Sequence, residues 1–434
     1  MDMLVLFFAF LAMLALMFLS MPVAVAILAV GAAGGYLAYG MPLVATMGGV
    51  VWGSLNNSTM LAIPLFMLLG ELLLRSGIAD RMYDALAVWL GRMPGGLLHT
   101  NIATCTMFAA TSGSSVATAA TVGTIALPAL AQRNYPVRMS LGSLAAGGTL
   151  GILIPPSINL LVYGSLANVS VGKLFMAGIV PGFALAVCFS LFIFIVYRRA
   201  NEGGTTSTIP FRERLALLRH LIPPFIIFAI VMGSIYGGLA TPTESAALGV
   251  TAALAITWWS GRLSLSLLAT CSFLAARTTG MVVIVLVCAL LLNVSISMLG
   301  AAQEVTRWVT DLGLDRVSLL LVLMVFYMTL GMFMDAMSML VLTVPIAVPV
   351  VVAVGVDPIW FGIFIVLMCE VALITPPVGM NLFVVQGIRK DGGSFTDVAW
   401  GSAPFAVIML VASVIFIFWP EPILWLPNVM SGQP

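Results

Sequence analysis

The chain has 434 residues, of which 62% are hydrophobic and only 8% are charged, and its mean hydropathy is +1.16. This composition excludes an ordinary soluble domain. The formal net charge of +1 says nothing about partners, and we expect no nucleic acid among the partners. Uncharged apolar stretches of roughly 18 residues or more can span a bilayer. The chain is therefore predicted to be an all-α polytopic membrane protein, with the lipid bilayer as its surroundings.

Ten segments are predicted to cross the membrane. In chain order they are about 3–20, 22–39, 58–75, 139–164, 174–197, 221–240, 243–260, 277–299, 359–386 and 401–419. The first segment has the hydrophobicity of a signal peptide but lacks a basic n-region, because Asp2 is the only charge before Glu71. We expect it to be a retained transmembrane helix.

The apolar stretch 97–131 does not fit a single span. Arg92 and Arg133 flank it, so it is expected to begin and end on the same side of the membrane, and it is long enough for two half-helices. We predict a re-entrant hairpin whose tip lies at residues 111–115. Irregular backbone at this depth is tolerated only where protein buries it or water reaches it.

Residues 318–352 are predicted to form the equivalent hairpin in the second half, with a tip near residues 331–336. Asp335 is the only acidic residue of this stretch and lies deep in the apolar run. An intramembrane carboxylate indicates a functional site. Glu370 has the same status, although it could instead pair structurally with a neighbouring helix.

A basic segment, 198–220, separates the two halves 1–197 and 221–434. It contains five arginines and two glutamates, and the positive-inside rule places it in the cytoplasm. Propagating the predicted spans from this segment leaves all but three of the 17 basic residues inside. Both chain termini are then expected on the outer, periplasmic side.

Each half carries a double proline inside an apolar segment. Pro128 is followed 27 residues later by Pro155-Pro156, and Pro349 is followed 27 residues later by Pro376-Pro377. A Pro-Pro step breaks a membrane helix, and broken helices at matching places in two halves point to the binding site of a transporter. Because the two broken spans run in opposite directions, the halves are predicted to be inverted-topology repeats.

The chemistry expected at such breaks is specific. Helix N-termini favour anions, and unwound carbonyl oxygens suit a small hard cation such as sodium. Neither broken segment contains lysine or arginine, so an anionic substrate would be held by helix dipoles, hydroxyls and amides. The candidate substrate contacts are Ser115, Asn159, Asp335 and Asn381. The two asparagines could instead merely satisfy freed backbone groups.

Ordered motifs along essentially the whole chain resemble the large membrane subunit of tripartite ATP-independent periplasmic (TRAP) transporters. The matching segments are 63–66, 70–72, 76–81, 112–117, 153–157, 240–247 and 375–381. The resemblance implies uptake of a small organic anion, often a carboxylate, across the bacterial inner membrane, driven by a sodium gradient. No organic cofactor is expected.

Family membership would also imply two partners. One is a small four-helix membrane subunit, and the other is a soluble periplasmic substrate-binding protein. In some members the small subunit is fused at the N-terminus. Because this chain starts directly with the large-subunit segment, we expect the small subunit to be a separate polypeptide.

The resemblance further implies two sodium sites, one between each hairpin tip and the adjacent broken helix. The first would use Ser112, Gly113, Ser114, Gly151, Ile154 and Pro156, and the second Gly331, Asp335, Thr375 and Pro377. Ser114 aligns with Asp335, so the two sites should not be equivalent.

The leading hypothesis is an elevator-type transporter that moves its substrate site on a rigid body containing both hairpins. A single-component anion symporter without a binding protein shares these features. A channel is disfavoured by the paired hairpins, and an intramembrane enzyme by the absence of a G-x-S-x-G elbow or a histidine-rich metal set.

The sequence also predicts two interfacial helices and the start of one transmembrane helix. Segments 76–93 and 301–314 are predicted to be amphipathic helices lying in the membrane interface. The sequence from Thr241 to Glu244 predicts a helix start with a capping box. Glu71, near a cytoplasmic interface, is assigned to structure.

Overall fold

The structure, a computed structural model, describes residues 3–199 and 210–430. These residues contain α-helices, two short 3₁₀ helices (Leu150–Ile152 and Leu218–Leu221) and no β-strand. The α-helices are α1 Met3–Phe18, α2 Val23–Tyr39, α3 Met41–Leu55, α4 Ser58–Arg75, α5 Ile78–Leu90, α6 Gly96–Ser112, α7 Ser115–Gln132, α8 Val137–Thr149, α9 Ile158–Ala167, α10 Val171–Arg199, α11 Phe211–Leu217, α12 Ile222–Tyr236, α13 Pro242–Trp259, α14 Leu265–Met298, α15 Ala301–Asp311, α16 Arg316–Gly331, α17 Ala336–Ala353, α18 Pro358–Leu373, α19 Met380–Ile388, α20 Phe395–Phe418 and α21 Glu421–Met430.

Seven helical stretches of the described residues are long and apolar enough to cross a membrane. They are α4, α7, α10, the continuous run of α11 and α12, α14, α17 and α20. Shorter apolar helices, among them α9, α16 and α18, lie beside the breaks. The prediction of an all-α polytopic membrane protein is confirmed.

One predicted boundary was wrong, and one helix was missed. The span predicted at 277–299 belongs to α14, which already begins at Leu265 and runs for 34 residues. Arg277 marked the predicted start, but arginine is a good helix former and a single one does not end a helix. Helix α3 was missed because its three glycines, Gly48, Gly49 and Gly53, lower its helix propensity. Packing of α3 on α2 and α14 offsets that cost.

The two predicted amphipathic segments form α5 and α15. Each begins directly after a glycine in the left-handed conformation, with φ of 68° at Gly77 and 65° at Gly300. This conformation is open to glycine at little cost, which explains why a glycine stands at both turns. On α5 the buried face includes Ile78 and Met82, while α15 buries Val309.

The broken segments lie at the centre of the molecule. Every residue of α8 from Ser140 to Thr149 is buried, as is every residue of α18 from Trp360 to Leu373. Helix α8 packs on α6, α7 and α20, and α18 packs on α16, α17, α9 and α10. The helices that lead into both breaks are therefore surrounded by protein.

The start of α13 has the predicted capping box. The Glu244 backbone N–H donates to Thr241 Oγ1 at 3.3 Å, and the Thr241 backbone N–H donates to Glu244 Oε2 at 2.8 Å. The capping interpretation of Glu244 is confirmed. Two orphan N–H groups at the helix start are thereby satisfied.

The basic segment predicted at 198–220 is described in part. Residues 211–217 form α11, which lies against α5, where Trp89 Nε1 donates to the Arg214 carbonyl at 3.2 Å. Residues 200–209 lie outside the described residues, as do both ends of the chain. The sidedness of this segment and of the termini stays a prediction.

Candidate functional site

Both double prolines interrupt a buried helix where the sequence predicts a break. Helix α8 ends at Thr149 and α9 begins at Ile158, while α18 ends at Leu373 and α19 begins at Met380. The peptide bond within each proline pair is cis. A helix restarts after each break: α9 begins in the protein interior, and α19 begins beside the exposed Pro376 and Pro377.

The predicted tip of the first hairpin coincides with the turn between α6 and α7. Gly113 has φ of 63°, in the left-handed region, and ends α6. Ser114 is the N-cap of α7, where its hydroxyl accepts from the Ala117 N–H at 3.4 Å. The carbonyl of Ser114 accepts from the Thr118 hydroxyl at 2.7 Å. The turn is therefore closed by its own side chains.

This tip lies directly against the first break. A Cβ atom at Gly151 would be 2.7 Å from the Ser114 carbonyl oxygen, and one at Gly113 would be 2.7 Å from the Pro156 carbonyl oxygen. Such separations are shorter than Cβ contacts in real structures, so glycine is required at both positions. The structure brings together the tip and break residues of the first predicted cation set, and Ile154 of that set is fully buried.

The polar atoms at this contact that could bind a cation are oxygen atoms. Carbonyl and hydroxyl oxygens of Ser112, Ser114 and Pro156 lie at the tip and the break, and such ligands suit a hard cation. The described residues contain no cluster of three or more histidine, cysteine or acidic side chains that could hold a metal ion. A cation held here would depend on backbone and hydroxyl oxygens.

Two candidate substrate residues, Ser115 and Asn381, contact each other across the two halves. The Ser115 hydroxyl lies 2.9 Å from Asn381 Oδ1 and 2.7 Å from Asn381 Nδ2. The amide nitrogen also donates to the Ala145 carbonyl at 3.1 Å. Asn381 is fully buried. Its amide therefore joins α19 to α7 and α8.

Asn159 is another candidate substrate residue and lies on α9. It lies in the first turn of α9 with only 6% of its surface exposed. Within the part of the chain that the structure describes, its amide nitrogen has no hydrogen-bond partner. A buried N–H donor without a partner is costly. Asn159 thus offers a donor for an acceptor atom of a ligand.

Asp335 is the N-cap of α17. Its carboxylate accepts from the Met337 N–H at 3.0 Å and the Ser338 N–H at 3.3 Å, and it also accepts from the Ser338 hydroxyl. Asp335 and the aligned Ser114 therefore perform the same local task in the two hairpins. Sequence reasoning missed this role, although an acidic residue before an apolar helical run is a standard N-cap signal.

The second break is more open than the first. Residues 150–157 are buried, whereas Pro376 and Pro377 are exposed and Thr375 is half-buried. In the second predicted cation set, Gly331 lies against Ala372 of α18, and the Thr375 hydroxyl donates to the carbonyl of Val371.

Four helix N-termini lie at the tips and breaks, and one of them has no side-chain cap. Helices α7, α9 and α17 are capped by Ser114, Ser157 and Asp335. Helix α19 follows Gly379, which provides no side-chain hydrogen bond. Free N–H groups and the helix dipole make an uncapped N-terminus the most suitable of the four for an anion.

Two cavities lie at opposite ends of the broken helices. One, of about 360 Å³, is lined by α7, α8 and the segment after α19, and includes Pro128, Arg389 and Lys390. The other, of about 500 Å³, lies among α9, α14, α15 and α17 and includes Arg307 and Pro349. Each cavity thus contains the equivalent helical proline of one half together with an arginine.

Comparison with known proteins agrees with this architecture. The family model of the tripartite ATP-independent periplasmic transporter, DctM component, matches residues 10–422. A C4-dicarboxylate TRAP transporter large permease protein of Pseudomonas aeruginosa is 35% identical over 374 residues, which cover 86% of this chain and 87% of that protein. An ectoine/5-hydroxyectoine TRAP transporter large permease protein of Ruegeria pomeroyi is 30% identical, covering 98% and 99% of the two chains.

A solved structure has a similar fold. The YdaH transporter of Alcanivorax borkumensis aligns with a TM-score of 0.66 and 15% identity, covering 92% of this chain and 98% of that one. At this identity the similarity concerns the fold alone.

Proposed function

Because this chain belongs to the DctM family, the large permease component of tripartite ATP-independent periplasmic transporters, we propose that it carries a small organic anion into the cell together with sodium ions. The observation that supports the proposal most is the contact between the first hairpin tip and the first break. There, Gly113 and Gly151 allow backbone oxygens of two elements to meet.

The first sodium site is proposed at this contact. Its donors are oxygens of Ser112, Ser114 and Pro156, with the glycines permitting the approach and Ile154 closing the site from the protein side. Ser114 O already accepts a hydrogen bond from Thr118, so sodium would share this oxygen with the helix. The second site, at Gly331, Asp335, Thr375 and Pro377, lies at the more open break. We expect it to bind sodium less tightly in this conformation.

The substrate is proposed to be a small organic anion bound near the uncapped N-terminus of α19. The exposed Pro376 and Pro377 leave this N-terminus approachable, and the unpartnered amide of Asn159 provides a donor on α9. C4-dicarboxylates and ectoines, named for two of the relatives, are the first compounds to test. Asn381 and Ser115 are assigned to holding the helices in position around the substrate.

Movement is proposed to follow the elevator mechanism. The hairpins α6–α7 and α16–α17 would travel with the broken helices α8–α9 and α18–α19. The bonds between Ser115, Asn381 and the Ala145 carbonyl tie the two halves of this body together. Helices α5 and α15 would brace it, and the cavities at its two ends would give access to each side.

Two partners complete the proposed system: a small membrane subunit encoded as a separate chain, and a periplasmic protein that delivers the substrate. The chain is proposed to lie in the inner membrane with both termini outside.

The test is uptake into proteoliposomes that contain the chain and its small subunit, with the binding protein outside. Radiolabelled succinate and ectoine would be supplied under an inward sodium gradient. We expect accumulation of at least one compound, and its loss when the gradient is dissipated. Undiminished uptake in sodium-free medium with only a proton gradient would contradict sodium coupling.

A further inference from the structure

The carboxyl group of Glu370 is the most isolated ionisable group at the centre of the molecule. Glu370 lies on α18 and exposes 0% of its surface. Among the described residues, neither of its carboxyl oxygens has a hydrogen-bond partner. An ionised carboxylate without a partner is strongly disfavoured in such surroundings, because burial removes its hydration. The neutral acid is therefore the form that this position can hold.

Glu370 does not lie on the face of α18 that contacts the second hairpin. Helix α18 contacts the second hairpin through Cys369, whose thiol lies 3.6 Å from the Ala336 carbonyl, and through Ala372 against Gly331. Successive helical residues are rotated by about 100°, so Glu370 projects from a different face of α18. The proposed sodium ligand nearest to it in sequence is Thr375, five residues later.

The helices that pack against α18 carry other titratable side chains. These are Arg316 and Tyr327 on α16, Asp335 before α17, Tyr163 on α9, Lys173, Cys188, Tyr197, Arg198 and Arg199 on α10, Asp397 on α20 and Glu421 on α21. Helix α19 and the 3₁₀ turn at Leu150–Ile152 carry none.

Three of these groups contact residues other than Glu370. The Tyr327 hydroxyl donates to Thr343 at 2.9 Å, and the Tyr163 hydroxyl donates to the Pro358 carbonyl. The guanidinium of Arg316 lies over the Trp360 ring, 5.8 Å from its centroid.

Of the three carboxylates on these elements, two have other partners and the third, Glu421, is exposed. Asp335 caps α17, and Asp397 pairs with Arg138 and Arg389.

The other half of the chain shows that the broken helix does not need a carboxyl group here. The offset of 221 residues between the double prolines places Thr149 at the position of Glu370. Thr149 is equally buried, and its hydroxyl donates to the Ala146 carbonyl at 2.8 Å. A neutral side chain therefore satisfies the architecture in the first half, which leaves the acid of the second half to be explained by another role.

Glu370 lies close in sequence to the second break. Helix α18 ends three residues later at Leu373, or roughly 5 Å along the helix axis, and the exposed Pro376 and Pro377 follow. We propose that Glu370 is a proton-binding site whose carboxyl group is neutral in this conformation and exchanges its proton with water when the segment around Pro376 and Pro377 rearranges. On binding, one carboxylate oxygen takes the proton from a hydronium ion and a water molecule is left; release reverses this step.

For transport, this means that a proton moves together with the hairpins and broken helices when they carry substrate, in addition to sodium. This part of the inference rests on the proposed sodium-driven uptake, whereas the protonation of Glu370 does not. Mildly acidic conditions favour the conformation in which Glu370 is buried and neutral. The rate of uptake at saturating sodium is then expected to change severalfold with pH.

Protonation is tested by infrared spectroscopy of the full chain in a detergent without ester groups. At neutral pH exposed carboxyl groups are ionised, so the C=O stretch of a protonated acid should be visible in the wild type. It should disappear in Glu370→Gln and Glu370→Met and persist in Glu421→Gln, which alters an exposed acid. The methionine variant covers the case in which glutamine disturbs folding. Identical spectra in this region for the wild type and both Glu370 variants would overturn the proposal.

Coupling is tested by measuring sodium-driven uptake of succinate or ectoine from mildly acidic to mildly alkaline pH. We expect the pH dependence of the wild type to be flattened in Glu370→Gln and retained in Glu421→Gln. A Glu370→Gln variant with the wild-type pH profile would refute the coupled proton. If the wild type itself shows no sodium-dependent uptake, the proposed function fails, and the infrared result still decides whether Glu370 holds a proton.

Discussion

The contact between the first hairpin tip and the first break depends on the absence of a Cβ atom at two positions. Gly113 and Gly151 stand where any side chain would meet a carbonyl oxygen of the opposite segment. Both glycines were predicted as site residues from the family resemblance. Their reason for being glycine becomes visible only when the two segments, which are separated in sequence, are seen in contact.

Replacing Gly151 with alanine should weaken sodium binding. The added methyl group would press on the Ser114 carbonyl, and overpacking of this kind costs about 1–3 kcal/mol. We expect the sodium concentration for half-maximal uptake to rise at least severalfold. Gly280→Ala on α14 is the matched control, because a Cβ there meets no atom within 4 Å. If the two variants showed equal sodium dependence, Gly151 would not be part of the sodium site.

Asp335 allows its capping role to be separated from a role in sodium binding. Asp335→Ala removes the N-cap of α17, which should cost about 0.5–2 kcal/mol of stability, and should also raise the sodium requirement. Asp335→Ser supplies the cap that Ser114 supplies in the other hairpin, so thermal stability should recover while the sodium requirement stays high. Recovery of both properties in the serine variant would show that Asp335 serves only as a cap.

Local chemistry was predictable at the residue scale, whereas distant contacts were not. The capping box at Thr241 and Glu244 follows from four consecutive residues. The partners of Asn381 could not be found in this way, because Ser115 and Ala145 lie 266 and 236 residues away in the chain. Ser157, the N-cap of α9, was missed although its place after a proline pair is a recognisable helix-start signal.

Helices and breaks follow closely from the sequence where proline or long apolar runs decide them. Both double prolines stop a helix because proline lacks the N–H donor and clashes with the preceding turn. The start of α14 was missed although arginine favours a helix and Arg277 therefore marks no boundary. The existence of α3 was not predictable, since tertiary packing there offsets the low helix propensity of several glycines. The amphipathic helix α5 was predicted from its charge pattern, and α15 from its match to that segment in the other half.

The joint between α7, α8 and α19 should behave as one unit. Asn381→Ala would leave Ser115 and the Ala145 carbonyl without their partner, and a buried group left unpaired costs about 1–3 kcal/mol. We expect lower thermal stability and slower uptake. Ser115→Ala should cost less, and the double variant should show a coupling energy of about 0.5–3 kcal/mol in a mutant cycle. Strict additivity would mean that the two side chains do not hold the halves together.

At the scale of the whole molecule, a small membrane partner is expected. An affinity-tagged chain should co-purify from its native membrane with a polypeptide of about four spans. Reconstituted uptake should require that polypeptide and the binding protein. Full uptake by this chain alone would instead favour a single-component symporter.

The central claim is that the hairpins and broken helices carry the substrate site from one side of the membrane to the other. A Ser114→Cys variant in a cysteine-free background tests it, with an impermeant thiol reagent applied from each side. Thr310→Cys on α15, an exposed position, is the static control. We predict that sodium and substrate change the periplasmic and cytoplasmic labelling rates of position 114 in opposite directions and leave position 310 unchanged. Equal, ligand-independent labelling of position 114 from both sides would contradict the account.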